Sequence, residues 1–233
     1  MKMVDIKRFT AAVVMLVAVI SSMYAQGVFQ EMMESSKPVK KVLFIGDSQT
    51  GWMGERLTAY GVQNGFEVAT VTWDGATPQK YANSAKLPSL VSAHKPDVIF
   101  VNLGMNELLE RNPQKNLGPS MEKIKAAFGD TPFVWIGPLS WPGKGKGETL
   151  VNWLRKNVES APGGHFYNAS DEVIPRQSKT NPHPTRDGAA LLVDHIVTWL
   201  PTTGINFKSL DKPKGEQMKR GKTFIYRRMG QSL

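Results

Sequence analysis

Cysteine is absent from all 233 residues. That excludes a disulfide framework, a thiolate nucleophile and any zinc site built on sulfur, so stability must come from a packed core. Histidine is scarce, and His94, His165 and His195 stand in no HxH or HExxH arrangement, so no metal site is expected. A basic face is missing as well. The formal charge is +9, but residues 1–25 carry Lys2, Lys7 and Arg8 against Asp5, and residues 207–233 carry eight basic residues against Asp211 and Glu216. The stretch between them is close to neutral, which argues against nucleic acid as a partner. There is no internal repeat, and no low-complexity tract outside the C-terminal stretch.

The longest apolar run lies near the start. Phe9 to Ile20 is almost wholly apolar, follows Lys7-Arg8 and precedes Ser21, Ser22 and Ala25. This is the pattern of an export signal, with 1–25 as signal peptide and cleavage after Ala25. The run is short for a membrane span, so a periplasmic or secreted product is expected ahead of a membrane-anchored one. Residues 26–40 read as a polar linker, 41–204 as one domain and 205–233 as a basic C-terminal tail. The tail reads as solvated or loosely docked, with contact to anionic envelope polymers as its functional alternative.

Within 41–204 the apolar pattern alternates between strand and helix. Residues 42–45 form a continuous apolar run, the signature of a central parallel strand covered on both faces. A helix follows to residue 60, then strands at 66–73, 98–101, 133–136 and 165–169. Helices are expected at 87–94, 121–128, 148–158 and from Thr185 or Asp187 to Leu200. Strand–helix alternation implies a five-stranded parallel sheet with helices on both sides, an α/β class chain.

Ligands of such sheets bind at the carboxyl ends of the strands. Ser48 stands there after the first strand, Gly75 after the second, Asn106 after the third and His183 beyond the fifth. Read alone, Ser48 is better explained as a helix cap. The convergence of all four makes it a nucleophile candidate. A serine hydroxyl needs an imidazole to take its proton, and the oxyanion needs preorganised donors, which the Ser48 and Gly75 N–H groups and the Asn106 amide can supply. The Gly-rich stretch 137–147 misses the phosphate-loop spacing and reads as an active-site rim, and no cofactor is expected.

Gly46-Asp47-Ser48, Gly75, Gly104-Met105-Asn106-Glu107 and His183-Pro184-Thr185 together resemble the four blocks of the SGNH/GDSL hydrolases, over roughly Lys41 to Leu200. The resemblance implies a three-layer α/β/α flavodoxin-like SGNH hydrolase fold with Ser48 as nucleophile, His183 as base then acid, and an oxyanion hole of Ser48, Gly75 and Asn106. One departure stands out. The family's acid precedes the histidine by three residues, and here that residue is Thr180. Asp171, after the fifth strand, is the expected substitute, with Asp187 better placed to cap the last helix. Trp52, Trp73 and Trp141 lie near the same edge and are candidates for substrate contact, each also readable as core. The expected function is an exported serine esterase removing O-acetyl or other short acyl groups from a carbohydrate or small ester. The alternatives are a non-catalytic glycan-binding module and an acyltransferase using the same serine.

Overall fold

Four consecutive buried residues, Val42, Leu43, Phe44 and Ile45, make up the middle of β1 (Lys41–Gly46) in the computed structural model, which describes Met23, residues 37–215 and residues 217–233. Val42 and Phe44 pack on one side of the sheet and Leu43 and Ile45 on the other. Each such side chain contributes about 1.5–3 kcal/mol on burial, so a run of four fixes this strand at the centre. The export segment and most of the linker lie outside the described residues. Residues Val39–Leu233 form one compact unit.

The remaining strands are β2 (Glu67–Trp73), β3 (Val98–Asn102), β4 (Phe133–Ile136), β5 (Gly164–Tyr167) and β6 (Phe224–Arg227). Their order is β5-β4-β3-β1-β2-β6, every pair parallel. One face is covered by α1 (Thr50–Asn64) and α6 (Arg186–Trp199), through Met53, Leu57, Tyr60, Leu192 and Ile196. The other face carries α2 (Pro78–Ala82), α3 (Lys86–His94), α4 (Pro113–Phe128) and α5 (Glu148–Glu159), which bury Tyr81, Leu87, Met121, Ile124 and Leu154. Three layers result, as the alternation of elements implies.

Two differences from the sequence reading have physical causes. Helix α4 begins at Pro113 rather than near 121, because Pro113 sits in the first turn behind an Asn112 side-chain cap and Pro119 is accommodated on the exposed face. The larger difference is the sixth strand. The stretch 205–233 reads as a tail outside the domain, yet its Phe224–Arg227 segment pairs with β2 from Thr70 to Trp73. The outer edge of β2 offers unpaired backbone groups, and Thr70 N–H to Thr223 O (3.0 Å) and Asp74 N–H to Arg227 O (2.8 Å) extend the ladder beyond the strand.

The approach to β6 is held by a buried guanidinium. Arg56 on α1 is fully buried and donates to both Asp194 carboxylate oxygens, at 2.8 and 3.1 Å. Its Nη1 donates to the Gly215 and Gln217 carbonyls, each at 3.0 Å. Further back, Phe207 meets Phe66 edge to face, and the Asn64 side chain binds the Ser209 hydroxyl and the Asp211 N–H. The C-terminal stretch is thus tied along its length to α1 and β2.

Candidate active site

Gly46 ends β1 because nothing larger fits: a Cβ there would lie 2.4 Å from the Asn102 carbonyl oxygen and 2.1 Å from the Thr50 hydroxyl. The chain then turns through Asp47, whose carboxylate is buried and accepts the Gln49 N–H at 3.0 Å. Burial pushes Asp47 up to about 7, with Asp74 adding to the rise. The turn delivers Ser48, half-buried, to the carboxyl edge of the sheet. Gln49 is the residue flanking the start of α1, and the Ser48 hydroxyl caps no helix N–H.

That hydroxyl lies 2.8 Å from His183 Nε2, bringing together side chains 135 positions apart. The other ring nitrogen, Nδ1, is 2.8 Å from Asn181 Oδ1. The same Asn181 oxygen accepts the His183 backbone N–H at 2.9 Å, which identifies it as the oxygen of the amide. An acceptor there requires Nδ1 to carry the proton. Nε2 is then left bare to accept from the Ser48 hydroxyl, the tautomer a general base needs. Burial holds His183 below the ordinary imidazole value, while the charge of Asp74 pulls it back upward. Its base form is therefore the one populated near neutral pH.

Asp171 stands elsewhere. It is exposed, pairs with Lys146 at 2.5 Å and accepts from Asn168 Nδ2, so it does not substitute for the missing acid. Asn181, two residues before the histidine instead of three, takes the orienting place, and a sequence scan for carboxylates passes over it. Asp74 supplies negative charge through space, and its Oδ2 accepts the Tyr226 hydroxyl from β6. The histidine loop is braced by Arg176, whose Nη1 donates to Ser140 O (3.0 Å) and Pro182 O (2.8 Å). Asp187 is in the first turn of α6, whose cap is the Thr185 hydroxyl accepting the Gly188 N–H.

On the oxyanion side, Gly75 has φ of +63°, a conformation that favours glycine. Among the described residues neither the Ser48 nor the Gly75 N–H has an acceptor within the protein. Asn106 Nδ2 donates to the Ala76 carbonyl at 2.7 Å, fixing the amide next to Gly75 and leaving its second hydrogen available. Glu107, which follows it, is pushed up to about 8, first by burial and then by the charge of Asp47, and its Oε2 has no partner.

Ser48 and His183 open into a cavity of about 450 Å3. Trp52, 39% exposed, lines it. Trp73 does not: it is buried in the core against Tyr81, with Lys80 over its ring. Trp141 supports the histidine loop from behind, its indole N–H donating to Thr180 O at 3.1 Å. The wall facing Trp52 comes from the C-terminal stretch, through Arg220, Phe224 and Tyr226. Their charged and polar neighbours conceal them in sequence, and the only local signal is the short Phe-Ile-Tyr run. Among the described residues no group of three or more His, Asp or Glu side chains is placed to hold a metal ion.

The sequence matches no family model and no curated protein. Solved structures do match. A Clostridium thermocellum family 3 carbohydrate esterase superposes with a TM-score of 0.54 at 17% identity, over 72% of this chain and 98% of that one. A family 3 carbohydrate esterase from Talaromyces cellulolyticus gives 0.55 at 16%, over 71% and 98%. The lipase/acylhydrolase from Enterococcus faecalis gives 0.54 at 19%, over 70% and 96%. With six strands in place of five, and with the four sequence blocks at one sheet edge, this chain has the fold of the SGNH/GDSL hydrolases.

Proposed function

We propose that the protein is a serine ester hydrolase that cleaves O-acetyl or other short acyl esters from a carbohydrate. The observation that carries this reading is the chain of contacts from Ser48 through His183 to Asn181. His183 Nε2 takes the hydroxyl proton as Ser48 Oγ attacks the acyl carbonyl, and the oxyanion is received by the Ser48 and Gly75 N–H groups and the Asn106 amide. His183 then protonates the departing alcohol, leaving acyl-Ser48. In the second half His183 activates water, the acyl group leaves as its acid, and Ser48 is restored. Asn181 holds the tautomer but carries no charge, so the imidazolium is stabilised through Asp74 at longer range.

The cavity supports a sugar as the alcohol side. Trp52, Phe224 and Tyr226 offer ring faces for stacking, and Gln49, Glu55 and Gln177 offer polar edges for hydroxyl groups. Two matched structures carry carbohydrate esterase in their names. The export pattern at the start of the chain favours action on an extracellular or envelope glycan. Hydrolysis of p-nitrophenyl acetate by the wild type and by Ser48→Ala tests the mechanism, and equal rates would remove Ser48 from it. A serine inert to a fluorophosphonate probe in a chain that still binds glycan would instead favour a non-catalytic binding module. Product analysis with a sugar acceptor separates hydrolysis from acyl transfer.

A further inference from the structure

A second cavity, about 320 Å3, lies at the amino ends of β1 and β2 and borrows its outer wall from residues 219–223. Its floor is apolar, with the buried Val42, Phe66 and Val68, and Val62 stands exposed at its edge. Its rim is cationic: Lys41, Lys219, Arg220 and Lys222, with His94, against the single carboxylate of Glu67. Arg220 is already matched by Glu55, at 3.1 Å, and stacks on Phe224. Asp97, adjoining Lys41, is occupied by the Lys40 and Lys41 backbone N–H groups, each at 2.8 Å. Lys41, Lys219 and Lys222 are exposed and, among the described residues, have no carboxylate within ion-pair distance. With Arg220 matched by Glu55, the three lysines still outnumber Glu67 and Asp97, and like charges gathered on a low-dielectric wall create a local field that draws an anion.

The two cavities are not independent. Arg220 lines both, and one short run of chain passes from the cationic rim at Lys222 to the Ser48 cavity at Phe224 and Tyr226. Lys222 and Tyr226 are four residues apart, hence at most about 14 Å even in extended chain. A small ester fills the first cavity alone, whereas a polymer with anionic groups along it can fill both. We infer that the second cavity binds a carboxylate of an acidic polysaccharide whose acyl ester lies at Ser48. This rests on the ester-hydrolase reading for what happens at Ser48, and on the rim lysines alone for the binding.

The full chain and its Lys219→Gln/Lys222→Gln variant decide the matter. Both side chains are exposed and neither lines the Ser48 cavity, so p-nitrophenyl acetate hydrolysis is expected to stay within about twofold, and the unfolding midpoint to be unchanged. Calorimetric titration with unacetylated polygalacturonate should show binding that weakens from about 20 to about 300 mM NaCl, and that is about tenfold or more weaker in the variant. Neutral xylan should not distinguish the two proteins. With acetylated polygalacturonate, kcat/KM should fall about tenfold in the variant, and with acetylated xylan it should not. Equal binding of polygalacturonate by both proteins would overturn the inference, as would tighter binding of a polyphosphate than of polygalacturonate. Salt-sensitive binding that the variant loses, in a wild type that hydrolyses neither ester, would uphold the cationic cavity and overturn the hydrolase reading.

Discussion

Strands β1 and β6 belong to one parallel sheet, β1 leading into Ser48 and β6 walling its cavity, yet they are held there by different forces. β1 is apolar from Val42 to Ile45, buried on both faces and paired on both edges, so burial and the ladder together set its place and, with it, the place of Ser48. β6 is Phe-Ile-Tyr-Arg, only partly buried and flanked by lysine and arginine. Backbone pairing to β2 and the Arg56 guanidinium hold it. The nucleophile therefore sits at the end of the most strongly packed strand, and the substrate-facing wall sits on a charged edge that can vary without disturbing the core.

The comparison is sharpest at its strong end. Ser48→Ala should lower turnover of p-nitrophenyl acetate by about 10³-fold or more while leaving the unfolding midpoint nearly unchanged, as measured by initial rates and urea denaturation. Arg56→Ala should act the other way. It leaves Asp194 without its bidentate partner and the Gly215 and Gln217 carbonyls without a donor, costing about 3 kcal/mol in urea unfolding. Limited proteolysis should then cut within 205–233 before the rest of the chain, and a variant that resists cleavage would show that β6 is held by pairing alone.

The buried carboxylates test the β1 side through pH. Glu107 is raised to about 8 and Asp47 to about 7, so the folded state keeps protons that the unfolded state has lost. The stability this lends is full below pH ~4 and is lost as pH rises through about 7 to 8. Glu107→Gln, neutral at every pH, should recover up to about 3 kcal/mol at pH ~9 and nothing near pH ~4, as read by urea midpoints.

The smallest effects belong to Asn181. Asn181→Ala should reduce kcat by roughly 10- to 100-fold by freeing the imidazole to take the wrong tautomer. Asn181→Asp brings a negative charge to Nδ1 and raises His183, so the acid limb of the kcat/KM profile should move up by about one pH unit or more. Activity near pH 6 then falls relative to pH 8, the reverse of what a merely structural residue would do. An unmoved limb would mean that Asn181 does not face the ring in solution.

Much of this was legible in the order of residues. Short continuous apolar runs rich in β-branched and aromatic residues suit central strands, so β1 to β4 and the covering helices follow from hydrophobic patterning. Ser48, Gly75 and Asn106 each lie just past a strand and His183 in the long loop beyond β5, and parallel topology sends all of those ends to one edge. Trp52 could be placed near the site but not separated from Trp73 and Trp141, because an indole serves as readily in a core as in a cavity.

What sequence could not decide were matters of contact between distant groups. Whether Asp171 or Asn181 reaches the imidazole depends on the path of one loop, and Lys146 claims Asp171. β6 was hidden because an edge strand is selected by its neighbour's unpaired N–H and C=O groups, which carry no side-chain signature. Local patterning determined the layers and the catalytic edge; only the closed tertiary structure decided which side chain orients His183 and that the end of the chain returns to wall the cavity, since both are settled by hydrogen bonds and charge pairing across long separations.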